Sequence, residues 1–258
     1  MKKTILFILV TLPLISYGAE RPSKHNSLLP YVQPAPDQGE TATCLFMAST
    51  GALELLANKK ENIRNPKKFG KYDLSESYVI NAVGPIPRGK TFYEEPVYRV
   101  NGKAVIAKDW PTSTKTKDGR DDYSVWNWKN SSEMKMVDVP KVETIFLFSY
   151  GKKHSTYILT QENIDQIKDA LVKYNSPILV NYVDDYFWHV VLIVGYNDKL
   201  NGECYEDTPK EECAKSKGAF YVRDSFGKRT EIRDTDWFRI KGNSAFVVKE
   251  AELPVTNP

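Results

Sequence analysis

Gln38-Gly-Glu-Thr-Ala-Thr-Cys44-Leu-Phe-Met-Ala-Ser-Thr-Gly-Ala-Leu-Glu-Leu-Leu-Ala-Asn58 changes character at its cysteine. Small and polar residues precede Cys44. After it, apolar residues fall on nearly every side of a helical wheel, with Phe46, Ala52, Leu53 and Leu56 on one face. A helix of that composition belongs inside a protein, not on its surface. Thr43 is placed to cap it. Cys44 would then stand in the first turn, where unpaired N–H groups and the positive end of the helix dipole favour an anion, and thiolate is the reactive form of cysteine. Gln38 lies six residues upstream in a Gln38-Gly39 turn. Gly39 permits the bend that would set its side-chain amide beside the Cys44 N–H as a pair of oxyanion donors. A buried structural cysteine is also common in helices, so the rest of the chain has to decide.

Around this stretch are 258 residues, 41% hydrophobic and 27% charged, with 36 basic against 33 acidic side chains and a formal charge of +3. The near balance of charge and the mean hydropathy of −0.46 exclude a disordered acidic chain, a polybasic nucleic-acid binder and a polytopic membrane protein. Lys2 and Lys3, an apolar run from Ile5 to Ile15 and the small residues Ser16 and Gly18 read as a secretory signal peptide, cleaved after Gly18 or Ala19. The run is too short to span a hydrocarbon core of about 30 Å, so no stable membrane anchor is expected. Residues 1–19 are assigned to the signal and 20–258 to one domain, secreted or periplasmic, in a pattern that fits bacterial export. Without Lys2 and Lys3 the charge falls from +3 to +1, which further weakens any case for nucleic acid. In an exporting compartment, Cys204 and Cys213 in a polar, charged stretch are expected to form a local disulfide. A metal site would need further ligands nearby, and none is found, so neither metal nor cofactor is expected. Cys44 is then the cysteine left over.

Past Lys60 the segment Asp73 to Asn81 reads as a shorter capped helix, whereas Gly84 to Pro140 mixes prolines, glycines and aromatic residues without a clear period. Thr160 caps a helix from Gln161 to Tyr174 in which Ile164, Ile167, Leu171 and Tyr174 share a face. Beyond Pro177 the period turns to that of strands, at Ile178–Val183, His189–Tyr196, Ala219–Asp224 and Ala245–Lys249. Helices first and antiparallel strands second make an α+β fold of two subdomains, with the cleft between them the natural place for a site.

The strand half supplies groups that Cys44 lacks. His189 opens an apolar strand and could act as base, and Asp224 ends another, where its carboxylate could orient the imidazole while Phe226 shields that bond from water. Tyr186, Phe187 and Trp188 just before the histidine either line a substrate pocket or cover the core. His25 and His154 are expected in solvent.

Gln38-Gly39 before Cys44-x-Phe46, then Leu74-Ser75-Glu76, His189-Val-Val-Leu-Ile-Val-Gly-Tyr196 and Asp224-Ser225-Phe226-Gly227 together resemble the papain family of cysteine peptidases in order and spacing. From position 44 to position 189 is an interval of 145 residues, within the roughly 130–150 of that family. The interval to Asp224 is 180 residues, and an insertion at about 200–218, containing Cys204 and Cys213, accounts for the excess. The resemblance implies a papain-like fold with Cys44 as nucleophile, His189 as base and then acid, Asp224 in place of the family's asparagine, Gln38 as oxyanion donor and Phe226 in place of a shielding tryptophan. It implies peptide-bond hydrolysis through a thioester on a protein or peptide substrate. Thr41 and Leu45 stand where the family has a cysteine and a tryptophan, and the glycine-rich substrate edge is absent. Only 18 residues, Glu20 to Asp37, would precede Gln38, too few for a long propeptide. The same residues would also serve a thiol amidase or transpeptidase acting on cell-wall peptides, or a non-catalytic papain-like binding module.

Overall fold

In the computed structural model the apolar stretch after Thr43 forms helix α1 (Cys44–Lys60), buried from Cys44 through Asn58. The model describes residues 21–83, 95–100, 102–126, 134–149, 159–184, 187–201, 218–227, 230–234 and 242–252. The signal segment, His154 and the Cys204–Cys213 pair lie outside the described residues. Thr43 precedes α1 but does not cap it with its side chain. Its φ of −99° and ψ of 10° depart from the extended backbone that a capping hydroxyl needs, and its Oγ1 pairs instead with Thr41 Oγ1 at 3.0 Å.

Helices α2 (Glu76–Val83) and α3 (Glu95–Val100) pack on α1. Ser75 starts α2 by accepting the Tyr78 N–H at 3.0 Å, as the capped pattern predicts. In the segment without a clear period, strands β2 (Lys103–Val105) and β3 (Met136–Asp138) pair, and Trp110 is buried edge-on against Tyr78. Helix α4 (Gln161–Tyr174) follows Thr160, whose hydroxyl accepts from Asn163 N–H while Asn163 Oδ1 accepts from Thr160 N–H, a reciprocal cap. Ile164, Ile167 and Leu171 are buried on one face, as their spacing requires.

The remaining strands are β1 (Lys24–His25), β4 (Val142–Ser149), β5 (Ile178–Asp184), β6 (Phe187–Asn197), β7 (Ala219–Arg223), β8 (Glu231–Asp234) and β9 (Gly242–Glu250). They make an antiparallel sheet in the order β4-β9-β5-β6-β7-β8, with β1 alongside β6. The four strands read from the sequence are its centre. Edge strand β4, only partly buried apart from Phe148, has too weak a polar–apolar alternation to be read alone. His25, expected in solvent, is partly buried and shares Asn175 Oδ1 with Ser27.

The sheet packs on α1 through β5, β6 and β9, and the start of α1 meets the start of β6, where Cys44 Sγ reaches the Trp188 carbonyl. No helix among the described residues is long and apolar enough to cross a membrane.

Candidate active site

Cys44 comes to the site on the first turn of α1, and His189 comes on β6, where it pairs in register with Tyr182 of β5. Strand alternation sends neighbouring side chains to opposite sides. Trp188 is therefore 42% exposed while His189, one residue on, is 2% exposed. Asp224 follows the last residue of β7, and its Oδ1 lies 2.7 Å from His189 Nε2. With Nε2 engaged there, Nδ1 is the ring nitrogen left for Cys44, whose thiol is hydrogen-bonded to the imidazole. Cys44 Sγ also lies 4.0 Å from the Trp188 carbonyl. The three side chains are gathered into one line from sulfur to carboxylate.

The electrostatics of that line favour a charged ring. Burial works against protonating His189, but the hydrogen bonds and negative charge of Asp224, with a further contribution from Cys44, outweigh it and raise the ring to about 9. Phe226 stacks on the imidazole with centroids 5.6 Å apart and planes 14° from parallel, and Tyr182 meets it edge-on at 5.1 Å. Phe226 keeps its other side in solvent at 46% exposure, so it covers one face of the ring.

Gln38 is buried, and its Oε1 accepts from the Ser225 hydroxyl, which leaves the Nε2 hydrogens to donate. Its backbone N–H donates to the Ser225 carbonyl at 2.7 Å, and Asp37 forms a β-bridge with Phe226. Asp224 Oδ1 accepts from the Ser225 N–H at 2.6 Å. Ser225 is thus the joint between the residue that orients the imidazole and the residue that offers the amide. Sequence reading gave it no role, since a lone serine after an aspartate carries no signal of its own.

Arg223 was missed as well. It is fully buried, and its guanidinium donates to the Gln33 carbonyl at 3.0 Å, the Met47 carbonyl at 2.9 Å and Glu54 Oε2 at 3.0 Å. Strand β7 is thereby tied to α1 one residue before Asp224. Its signal was present, a glutamate inside an apolar helix that needs a buried cation, but the partner stands 169 residues away. Of the aromatic residues before the histidine, Trp188 is half-exposed and does not cover the core. Phe187 is placed on β6 opposite Asp184, and its side chain, like Tyr186, lies outside the described residues.

No protein-family model matches the sequence, and no curated protein sequence does. Solved structures do match. Procathepsin L2 from the larval midgut of Tenebrio molitor aligns with a TM-score of 0.54 and 14% identity over 90% of this chain and 69% of its own. A recombinant stem bromelain precursor gives 0.57 and 13% over 90% and 71%. Bromelain from Ananas comosus gives 0.54 and 14% over 89% and 100%. At such identities the likeness is one of architecture: helices in the N-terminal part and antiparallel strands in the C-terminal part make the fold of the papain-like cysteine proteases.

Proposed function

We propose that this protein is an exported thiol hydrolase that cleaves peptide bonds through a thioester on Cys44. The observation that carries the reading is the alignment of a thiol at a buried helix start, an imidazole hydrogen-bonded to it and a carboxylate 2.7 Å from the far ring nitrogen. His189 takes the thiol proton and the sulfur attacks the peptide carbonyl. The Cys44 N–H and Gln38 Nε2 hold the resulting oxyanion. His189 passes its proton to the departing amine, then accepts one from the water that opens the thioester and returns it to the sulfur. The N-terminal Lys2, Lys3 and apolar run support export, and the papain-like neighbours support a peptide substrate. No step calls for a metal or an organic cofactor.

A peptidyl electrophile directed at thiols should label Cys44 rapidly and stoichiometrically, and the wild-type protein should hydrolyse an unfolded protein substrate. Cys44→Ser should abolish both. Ordinary slow alkylation with no hydrolysis would support a binding module on the same fold, and a cleaving Cys44→Ser variant would remove Cys44 from the mechanism.

A further inference from the structure

The loop that carries Gln38 is held from a second side by a segment in which no motif is legible. Residues 114–122 fold back on themselves as a turn. Lys115 and Asp121 form a β-bridge, Thr116 N–H donates to the Arg120 carbonyl at 2.8 Å, Gly119 N–H to the Thr116 carbonyl at 2.9 Å and Asp122 N–H to the Thr114 carbonyl at 2.7 Å. From this turn and the residue after it, three side chains reach the Gln38 loop. The buried Thr114 hydroxyl donates to the Asp37 carbonyl. Asp121 Oδ1 accepts the Glu40 N–H at 3.1 Å, and the Tyr123 hydroxyl donates to the Glu40 carbonyl at 3.4 Å. Lys115 Nζ holds the same Asp121 oxygen at 2.5 Å. Gly39 makes this approach possible. Its φ is +52°, and a Cβ there would stand 2.3 Å from Asp121 Oδ1 and 2.8 Å from Lys115 Nζ.

On its opposite side the same loop is held by the segment after Asp224, through Gln38 N–H to the Ser225 carbonyl and Gly227 N–H to the Pro36 carbonyl at 3.2 Å. Ser225 orients the Gln38 amide about its own bonds, but the aim of that amide also depends on where the Gln38 backbone sits. The turn bonds the peptide unit just before Gln38, at the Asp37 carbonyl, and the one just after Gly39, at the Glu40 N–H, so it grips the loop on both sides of the Gln38-Gly39 pair.

We propose that Asp121 is a positioning residue for the oxyanion site: by holding the Glu40 N–H across Gly39 it keeps the Gln38 amide aimed beside Cys44. The inference rests on the thiol-hydrolase reading above. Asp121 touches no reacting atom and acts through Gln38, so its loss should weaken stabilisation of the tetrahedral oxyanion and leave the pairing of Cys44 with His189 intact.

The test uses the full mature chain and a fluorogenic peptide amide that the wild type cleaves. Asp121→Ala should lower kcat by about tenfold, less than loss of a whole donor, with KM changed by less than about twofold. A peptidyl aldehyde, whose adduct carries the same oxyanion, should lose affinity in parallel. Alkylation of Cys44 by iodoacetamide, read on the Cys44 peptide by mass spectrometry from pH 5 to 9, should match the wild type, because that reaction needs no oxyanion site. Asp121→Asn keeps an acceptor for the Glu40 N–H and should restore turnover. Thr114→Val, read the same way, serves if Asp121→Ala does not fold. An unchanged kcat in Asp121→Ala, or an equal loss of turnover and of Cys44 alkylation, would overturn the positioning role alone. A wild type that neither cleaves peptides nor binds the aldehyde would overturn the hydrolase reading and the role of Asp121 with it.

Discussion

His189 stands between opposed effects, and their balance sets the pH range of the site. Burial favours the neutral ring, while Asp224 and Cys44 favour the cation strongly enough to raise it to about 9. A raised folded value means that the charged ring is fully present near neutral pH and is lost as pH rises through about 9. If catalysis uses imidazolium paired with thiolate, kcat/KM should therefore hold from neutral pH upward and fall along a limb near 9, a value belonging to the pair. Asp224→Asn keeps an oxygen for Nε2 but removes the charge, so the limb should move down by about 1–3 units. A pH–rate profile checks both, and an unmoved limb in Asp224→Asn would show that Asp224 only orients the ring. Cys44 and Asp224 were legible as candidates because each stands at the end of an element, His189 because it opens the apolar run of its strand, and Gln38 because a glutamine-glycine turn precedes the helix. Ser225 and Asp121 were not, since their contacts depend on segments that meet only after folding.

Helix α1 announces itself through composition: no polar face, hence no solvent face. The same logic made the central strands readable as apolar runs bounded by turn residues, and Thr160 readable as a cap. The pair β2–β3 and the turn at 114–122 escaped because three-residue strands and polar turns have too few residues to show a period. Gly51 is a finer case. In a helix interior alanine is favoured over glycine by about 1 kcal/mol, so Gly51→Ala should stabilise α1 on propensity alone. A Cβ at Gly51, however, would stand 2.1 Å from Arg223 Nη1 and 2.6 Å from its Cζ. A guanidinium at the end of a long side chain could ordinarily swing aside, but this one is bonded at three nitrogens to Gln33, Met47 and Glu54 inside the core. Overpacking of about 1–3 kcal/mol and a weakened buried ion pair should exceed the propensity gain. Gly51→Ala is thus expected to lower the urea midpoint with little change in slope, and a raised midpoint would show that Arg223 can retreat.

At the scale of the molecule, Arg223 joins the two halves at a place crowded with acid. Glu54 on α1 pairs with the buried guanidinium, and Glu76 at the start of α2 and Asp73 a few residues before it both feel its charge. Burial raises all three carboxyls, Glu76 to about 7, although Arg223 pulls each the other way. An acid raised on folding binds more protons folded than unfolded across the interval between its two values, so it makes stability fall as pH rises there. For Glu76 the interval runs from about 4.5 to about 7. Of the other shifted groups, His25 acts inside that window and opposes the decline: burial lowers it from 6.5, so its contribution to stability grows as pH climbs towards 6.5. The exposed carboxylates Glu61, Asp118, Asp121 and Asp122 are lowered, so their contribution is complete above the unfolded carboxyl range, and that of His189 is lost only above 6.5. The raised acids of the cluster outweigh His25, so wild-type stability should decline between pH 5 and pH 7 by an amount on the order of a few kcal/mol, read as a falling Tm. Glu76→Gln is close in shape and carries no charge to bury, so it should flatten the decline and gain most over wild type at pH 7. A wild-type Tm that climbs from pH 5 to 7, or an equal slope in Glu76→Gln, would show that Arg223 already neutralises the cluster and that the join between the halves does not respond to protons in this range.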